Sequence, residues 1–236
     1  MKDASQYRPA CAEEIRELDR KAIEKFGFTG FTLMQNAGHE AAEVARRMLN
    51  GGSKATFVCG KGNNGGDGFV IAHLLRNDGY DVRVFGTQVP SEISGDAAAA
   101  LHLFETDDGK PYEVLEDTSD FQCLVDSLLE SDLVIDALLG TGISRPVFSP
   151  LSDAIELINE TGKPVLCVDV PSGLNADTGM IMGTCVFATE TVTFALPKPG
   201  FFIEDGPEMV GKLTLSEIGI PDELLKPYLT HQISPV

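Results

Sequence analysis

Three apolar runs in the sequence each end in a loop rich in glycine, amide, hydroxyl and carboxyl groups. The loops cover 60–68, 136–146 and 169–179. In the first, Asn63 and Asn64 carry side-chain carbonyl oxygens that can hold a cation or a ribose. The glycines around them permit positive φ and a close backbone approach to a ligand. A strand, a glycine turn and a helix in succession direct backbone N–H groups at an anion, so the spacing favours phosphate binding. A tight turn without a ligand is the alternative.

The spacing of the glycines does not identify a known nucleotide loop. Gly60, Gly62 and Gly65 fit G-x-G-x-x-G, but a single match of that kind is weak, and no Gly-Lys-Ser/Thr closes a P-loop. Ser172 lacks the G-x-S-x-G context of a hydrolase nucleophile. The four histidines, none of them beside a candidate nucleophile, are His39, His73, His102 and His231. These absences disfavour a kinase, a dehydrogenase and a serine hydrolase.

Asp136 and Asp169 directly follow apolar strand-like runs. Partial burial of a carboxylate raises its pKa unless a cation or N–H donors stabilise the charged form. Either residue could also be a helix cap or a brace within a turn. Ligands of open α/β sheets bind beyond the carboxyl ends of the strands. If the strands are parallel neighbours, the three loops meet at one crevice, and a ligand site is expected there.

The elements that must position these loops alternate between strand and helix. Helices are predicted at 11–25, 29–49, 69–75, 95–104, 121–129 and 151–158, strands at 55–59, 80–85, 133–135, 165–168, 191–195 and 212–215, and a polar turn at 107–110. Alternation of this kind predicts a doubly wound α/β domain, with a mostly parallel sheet in a three-layer αβα sandwich and two leading helices. No linker divides the chain, so residues 1–236 are expected to form one domain. The tail after Ile220 is expected to pack on its surface.

Composition narrows the class of protein. The chain has 236 residues and a net charge of −18, which argues against nucleic acid because phosphate neutralisation needs a basic surface. No apolar run approaches the roughly 20 residues of a membrane span. The first ten residues show no targeting signal. The five cysteines are scattered without C-x-x-C, as expected of core residues in a reducing, cytoplasmic compartment.

Four segments, 60–68, 136–142, 168–179 and 196–200, together resemble the YjeF N-terminal family, the NAD(P)H-hydrate epimerases. The helix motif at 33–38 is also similar to that family, although Gln35 stands where Glu is more common. The resemblance covers nearly the whole chain in order. It implies a Rossmann-like fold and a homodimer. It also implies that R and S epimers of hydrated NADH or NADPH, hydroxylated at C6 of the ring, are interconverted for repair by a dehydratase. The chain is too short to hold the dehydratase domain of many members, so that partner is expected to be separate.

The resemblance also implies roles for individual residues. Asp169 would be the catalytic residue and contact the hydrated ring, and Asn64, Asp136 and Ser172 would ligate a potassium ion. The remaining cofactor contacts would be Asn63, Asn64, Gly65, Gly66, Asp67, Gly140, Thr141, Gly142, Ile143, Ser144, Arg145 and Pro146.

The residues themselves agree with this chemistry, because epimerisation needs proton transfer and a carboxylate at a strand end can supply it. Loss and return of water and ring opening both remain open as paths. Lys198 could be a second proton carrier, a phosphate contact or part of a rigid turn. A non-catalytic nucleotide-binding scaffold of the same fold is the competing interpretation.

Overall fold

A parallel sheet of seven strands forms the centre of the computed structural model, which describes residues 3–106, 109 and 111–230. The strands are β1 (Lys54–Cys59), β2 (Asp81–Gly86), β3 (Tyr112–Val114), β4 (Leu133–Ala137), β5 (Val165–Val168), β6 (Glu190–Phe194) and β7 (Lys212–Ser216). Their order is β3-β2-β1-β4-β5-β6-β7, and every pairing between neighbours is parallel. The predicted sheet is confirmed.

Helices cover both faces of the sheet. They are α1 (Ala12–Phe26), α2 (Gly30–Leu49), α3 (Asn63–Asn77), α4 (Gly95–Glu105), α5 (Thr118–Glu130), α6 (Leu151–Glu160), α7 (Gly206–Met209) and α8 (Asp222–Leu225). Helices α1 to α4 share one hydrophobic core with the sheet, whereas α5 and α6 share another. Within β1, Phe57 faces the first core and Val58 faces the second, as the two-residue period of a strand requires. The predicted three-layer α/β architecture with two leading helices is therefore confirmed.

Local sequence explains the helix boundaries near the site. Thr29 begins α2 because its Oγ1 accepts a hydrogen bond from the N–H of Thr32 at 3.0 Å. Asn50 ends the same helix in the left-handed conformation. Gly38 lies against α3, since a Cβ at that position would come within 2.3 Å of Val70 Cγ1. The absence of a side chain at Gly38 therefore lets α2 and α3 pack closely.

The structure differs from the predicted elements in a few places, and a few predictions fall outside the described residues. The short edge strand β3 was not predicted. The predicted polar turn at 107–110 lies largely outside the described residues, and so does His231. The tail after Ile220 packs more closely than a surface tail, because Leu225 is buried in the first core and Leu229 bridges to Tyr7. All five cysteines are free. Among the residues described, no helix combines the length and apolar character needed to cross a membrane.

The strand order reverses between β1 and β4. The chain runs from β1 outward to β2 and β3, then returns to place β4 on the other side of β1. The carboxyl ends of β1 and β4 therefore open onto a crevice, which is where ligands of doubly wound sheets bind. Strand β5 pairs with β4 and adds its own carboxyl end to the same edge.

Candidate active site

A cavity of about 400 Å³ lies at the carboxyl ends of β1, β4 and β5. Six of the predicted site residues line it: Asn63, Asn64, Asp67, Gly140, Thr141 and Asp169. They come from all three loops, so the predicted convergence is seen in the structure. The cavity is within the roughly 300–1,000 Å³ range of small-molecule sites.

Asp169 is held in an uncommon backbone conformation at the end of β5. Its φ is 63°, in the left-handed region, and its N–H donates to Val192 O at 2.7 Å. The N–H of Val170 bonds back to Val168 O at 2.8 Å, which closes a γ-turn around Asp169. A side chain with positive φ is costly unless its surroundings enforce it, and such residues concentrate at functional sites. The turn directs the carboxyl into the cavity.

The carboxyl of Asp169 forms an ion pair with Lys198, whose Nζ lies 2.5 Å from Oδ1. The ammonium also donates to Thr193 Oγ1 at 2.7 Å and to Phe194 O at 3.0 Å. Thr193 Oγ1 and the N–H of Phe194 donate to the same Oδ1, at 3.1 and 3.4 Å. All three bonds that the Asp169 carboxyl accepts end at Oδ1. Within the described part of the chain Oδ2 has no donor, and it is left for a ligand.

Two further carboxyl groups share the cavity. Burial raises the pKa of Asp67 well above its usual range, and the negative charges of Asp169 and Asp19 raise it further against the opposing effect of Lys198. Burial likewise raises the pKa of Asp19 to about 6, where Lys198 lowers it and Asp169 raises it. The cavity therefore holds an ion pair, a buried carboxyl at Asp67 whose pKa is raised, and a carboxyl at Asp19 whose pKa of about 6 lies close to neutrality.

The glycines of the first loop serve packing within the protein. A Cβ at Gly65 would lie 1.8 Å from Gly60 O, and one at Gly66 would lie 2.5 Å from Met34 Cε. None of the glycines between 60 and 68 has positive φ, so the conformational freedom that glycine permits is not used here. They let the first turn of α3 pack closely against β1 and α2. Gly62 differs, because a Cβ there would meet nothing within 4 Å.

The three predicted cation ligands lie around one short segment, Leu138-Leu139. Asp136 Oδ1 accepts from the N–H of Leu138 at 3.2 Å and from Ser172 Oγ at 2.5 Å, and Oδ2 accepts from the N–H of Ser172 at 2.8 Å. Ser172 Oγ also accepts from the N–H of Leu139 at 2.9 Å, and Asn64 Nδ2 donates to Leu139 O at 2.9 Å. Asp136 therefore braces β4 against β5, which is the alternative role considered for it.

Hydrogen bonds within the described part of the protein do not satisfy every polar atom of Asn64, Asp136 and Ser172. Asn64 Oδ1 is buried and has no hydrogen-bond partner in the described residues. Asp136 is fully buried, its pKa is raised by that burial, and no described cationic side chain pairs with it. A buried amide oxygen and a buried carboxylate without a counter-charge fit a hard monovalent cation. No cluster of three His, Cys, Asp or Glu side chains suited to a metal occurs in the described ranges.

The second loop is only partly in the cavity. Gly140 and Thr141 line it, whereas Gly142, Ile143, Ser144, Arg145 and Pro146 line a neighbouring concavity. Asn175 Nδ2 donates to Ile143 O at 2.9 Å and so ties this loop to the third one. The structure does not place Gly65, Gly66 or 142–146 on the cavity wall with Asp169.

A sequence profile described as YjeF-related protein N-terminus matches residues 30–200. The chain belongs to the YjeF N-terminal family. The NAD(P)H-hydrate epimerase of Rhodopirellula baltica is 36% identical over 228 residues, which are 97% of this chain and 91% of that protein. The bifunctional NAD(P)H-hydrate repair enzyme Nnr of Moorella thermoacetica is 41% identical over 217 residues, or 91% of this chain. The chain spans 41% of the length of that enzyme and of its counterpart in Thermofilum pendens.

The fold is also that of a solved protein. The crystal structure of yeast ynu0, YNL200c, matches this YjeF-family chain with a TM-score of 0.79 at 25% identity, over 93% of each chain. The three loops and the strands β1, β4 and β5 that carry the cavity fall within the matched family profile, because it covers residues 30–200.

Sequence reasoning missed one wall of the cavity. Helix α1 lies before the matched profile, yet Ile15, Arg16, Asp19 and Ile23 line the cavity. A signal was present, because Asp19 is four residues after Ile15 and four before Ile23. A carboxyl placed within an apolar helical stripe is unusual enough to suggest a role.

Proposed function

We propose that this chain interconverts the R and S epimers of hydrated NADH and NADPH, collectively NAD(P)HX, in the repair of nicotinamide cofactors. The observation that carries the proposal is the carboxyl of Asp169, fixed through Oδ1 with Oδ2 open to a cavity of ligand size. Two relatives that match nearly the whole chain are named NAD(P)H-hydrate epimerase, from Rhodopirellula baltica and Weissella koreensis. The chain is accordingly an isomerase.

The diphosphate of the substrate would bind at the start of α3. The first N–H groups of that helix, at Asn63, Asn64 and Gly65, precede the first intrahelical bond, in which Gly66 N–H donates to Gly62 O at 3.0 Å. Such N–H groups, with the helix dipole, bind anions even in a protein with a net charge of −18. This placement gives the N–H of Gly65 a binding role and leaves Gly66 beside the site, and the loop 140–146 would hold the rest of the cofactor.

The hydrated ring would then lie beside Asp169. Its Oδ2 is positioned to take a proton from the C6 hydroxyl or from water, and to return one. Removal or delivery of a proton at that hydroxyl is required whether C6 loses water or the ring opens. Burial raises the pKa of Asp67 and so favours its neutral form, which would donate a hydrogen bond to the substrate without adding negative charge.

Lys198 would act by positioning Asp169. It is fully buried and its three hydrogens are donated to Asp169, Thr193 and Phe194. An ammonium with no hydrogen left to donate is poorly suited to a phosphate contact. Of the roles considered for it, holding and charging the neighbouring carboxylate is the one best supported.

A potassium ion would be held by Asn64, Asp136 and Ser172. The support is the unpartnered Asn64 Oδ1 beside the uncompensated Asp136 carboxylate. When bound, the ion would supply fixed positive charge near the start of α3 and join the three loops. Asn64 and Gly140 are in contact range of each other, since a Cβ on Gly140 would lie 3.3 Å from Asn64 Cβ.

A homodimer and a separate NAD(P)H-hydrate dehydratase would be the partners, and the cytoplasm the location. Three exposed apolar side chains, Phe148, Met180 and Ile203, lie around one loop and offer area for a subunit contact. The bifunctional relatives carry the name of a repair enzyme on a longer chain, which favours a dehydratase as the functional partner.

The deciding experiment mixes the protein with an epimer mixture of hydrated NADH and an S-specific dehydratase. We expect the R fraction to be consumed as completely as the S fraction, at a rate proportional to the amount of this protein. Repair that stops when the S form is exhausted, or a rate equal to a blank, would exclude the epimerase and leave a cofactor-binding scaffold.

A further inference from the structure

Asp19, on α1, lines the cavity, and the function proposed above assigns it no role. It is half-buried between Ile15 and Ile23, which also line the cavity. No residue in the described ranges donates a hydrogen bond to its carboxyl. A carboxyl that is partly desolvated and has no donor opposes folding, so packing alone does not account for its presence.

The helix that carries Asp19 is fixed to both segments that carry Asp169 and Lys198. Asp177, in the loop after Asp169, accepts a hydrogen bond from the N–H of Ala12 at 2.8 Å and caps α1. The N–H of Ala10 donates to Pro197 O at 2.9 Å, next to Lys198. The position of Asp19 relative to Asp169 is therefore set by direct contacts between their elements.

We propose that Asp19 is a second acid–base residue of the site, working with Asp169 on the hydrated ring from a different wall of the cavity. The proposal rests on the epimerase function proposed above. It adds a residue on α1, outside the three loops, to the reacting groups.

Inversion at C6 gives a reason for two proton carriers. If the carboxyl of Asp19 donates its proton to the C6 hydroxyl, the C6–O bond breaks, water leaves, and the lone pair of N1 forms an N1=C6 double bond. A water molecule then adds to C6 from the other face as Asp169 takes one of its protons, and the N1=C6 electron pair returns to N1. One proton has moved from Asp19 to Asp169, and the reverse reaction uses the same groups in opposite roles. A carboxyl fixed on one wall of the cavity faces one side of a bound ring, so a group on another wall would serve the opposite face.

The charges around Asp19 suit this role. Arg16 precedes it by one turn of α1, Asp96 comes from α4 and Asp67 from α3, and Asp169 and Lys198 complete the wall. Because burial raises the pKa of Asp19 to about 6, both its protonated and ionised forms are populated near neutral pH. A proton carrier is most effective when its pKa is close to the operating pH.

The test compares Asp19→Asn with Glu24→Gln, a carboxyl-to-amide change on the exposed side of the same helix. In the epimer assay with S-specific dehydratase in excess, we expect Asp19→Asn to lower kcat by roughly 10²-fold or more while KM changes little. Glu24→Gln should match the wild type. The wild-type pH profile should show a limb near pH 6 that Asp19→Asn lacks, and Asp19→Glu should regain part of the rate because it restores the carboxyl.

The outcomes separate the two proposals. A wild-type protein without epimerase activity would overturn the proposed function itself. An active wild type together with Asp19→Asn within about threefold of it, and an unchanged pH limb, would overturn the role of Asp19 alone. If Asp19→Asn and Asp19→Glu lose the same activity with the limb intact, Asp19 is structural and the proposal also fails.

Discussion

Lys198 Nζ lies 2.5 Å from Asp169 Oδ1, and this contact decides which oxygen of Asp169 is free. The lysine is buried and gives its remaining hydrogens to Thr193 and Phe194. Oδ1 is thereby occupied and Oδ2 is left to the cavity. In the function that we propose, the pair acts as one unit, in which the lysine holds the carboxylate and the carboxylate transfers the proton.

Replacement of Asp169 by asparagine tests whether its carboxylate transfers the proton. Asp169→Asn keeps the size of the side chain and one carbonyl oxygen but removes proton transfer. We expect epimerisation to fall by roughly 10² to 10⁴, with cofactor affinity largely retained. Initial rates in the epimer assay and a fluorescence titration with NADPH would measure the two effects. Activity within a few-fold of the wild type would exclude Asp169 as the acid–base residue.

Replacement of Lys198 by methionine tests whether the lysine holds the carboxylate of Asp169. It removes the cation from a buried pair and leaves Thr193 Oγ1 and Phe194 O without their donor. We expect a loss of about 3 kcal/mol in the free energy of unfolding, at the lower end for a broken buried pair because Asp169 is partly exposed, and a loss of activity. Urea unfolding measures this, with Lys212→Met as control because its pair with Glu190 is exposed at the lysine end. Loss of the exposed pair should lower the free energy of unfolding by about 1 kcal/mol or less. Equal losses in the two variants would contradict the special role of Lys198.

The sequence was sufficient to predict the sheet and the meeting of its loops, because both depend on local patterns. Apolar runs of three to five residues mark strands buried on both faces, and each loop directly follows one of them. Asp169 could be singled out since a carboxylate after a buried strand is unusual. The hydrogen bonds of Lys198 could not be predicted, because they join residues whose spatial relation is set by the pairing of β5 with β6.

The glycine loop shows what a residue pattern leaves undetermined. The cluster of glycines at 60–68 marks the turn, and the structure adds that the carbonyl of Gly60 excludes a side chain at Gly65. Sequence alone does not reveal which neighbour excludes a Cβ. Asp19 was missed for a related reason, since the side of α1 that faces the cavity depends on how the helix docks.

Two glycine variants separate packing from ligand binding. Gly65→Ala places a Cβ 1.8 Å from a backbone oxygen, so we expect it to lower the free energy of unfolding by about 2 kcal/mol. Gly62→Ser adds a Cβ in open space and an N-cap hydroxyl to α3, so the fold should be kept or slightly stabilised. Because its hydroxyl would occupy the anion site, cofactor affinity should fall. Urea unfolding and a cofactor titration check both. A Gly62→Ser protein with unchanged affinity would argue against a diphosphate at the start of α3.

Potassium dependence tests the unpartnered oxygen of Asn64. We expect the melting temperature of the wild type to be higher in potassium chloride than in tetramethylammonium chloride at equal ionic strength, because the ion binds the folded state only. Asn64→Leu should abolish the difference by removing Oδ1. Asn63→Ala, at the exposed neighbouring asparagine, should keep it. Differential scanning fluorimetry provides the measurement, and a wild-type melting temperature indifferent to the cation would leave Asp136 and Ser172 as a brace between strands.

The pH dependence of stability tests the burial of Asp19. Its pKa is raised from 3.8 to about 6 in the folded protein, so the folded state binds more protons than the unfolded state between those values. Stability contributed by this group is therefore lost as pH rises through that window, and above about pH 6 the ionised carboxyl opposes folding. Asp19→Asn removes the effect while Arg16, Asp67, Asp96, Asp169 and Lys198 remain. We expect the variant to match the wild type near pH 4 and to exceed its stability increasingly up to pH 7, as measured by urea midpoints. A difference between the two proteins that is constant with pH would mean that Asp19 titrates as it does in water and is not held in the cavity.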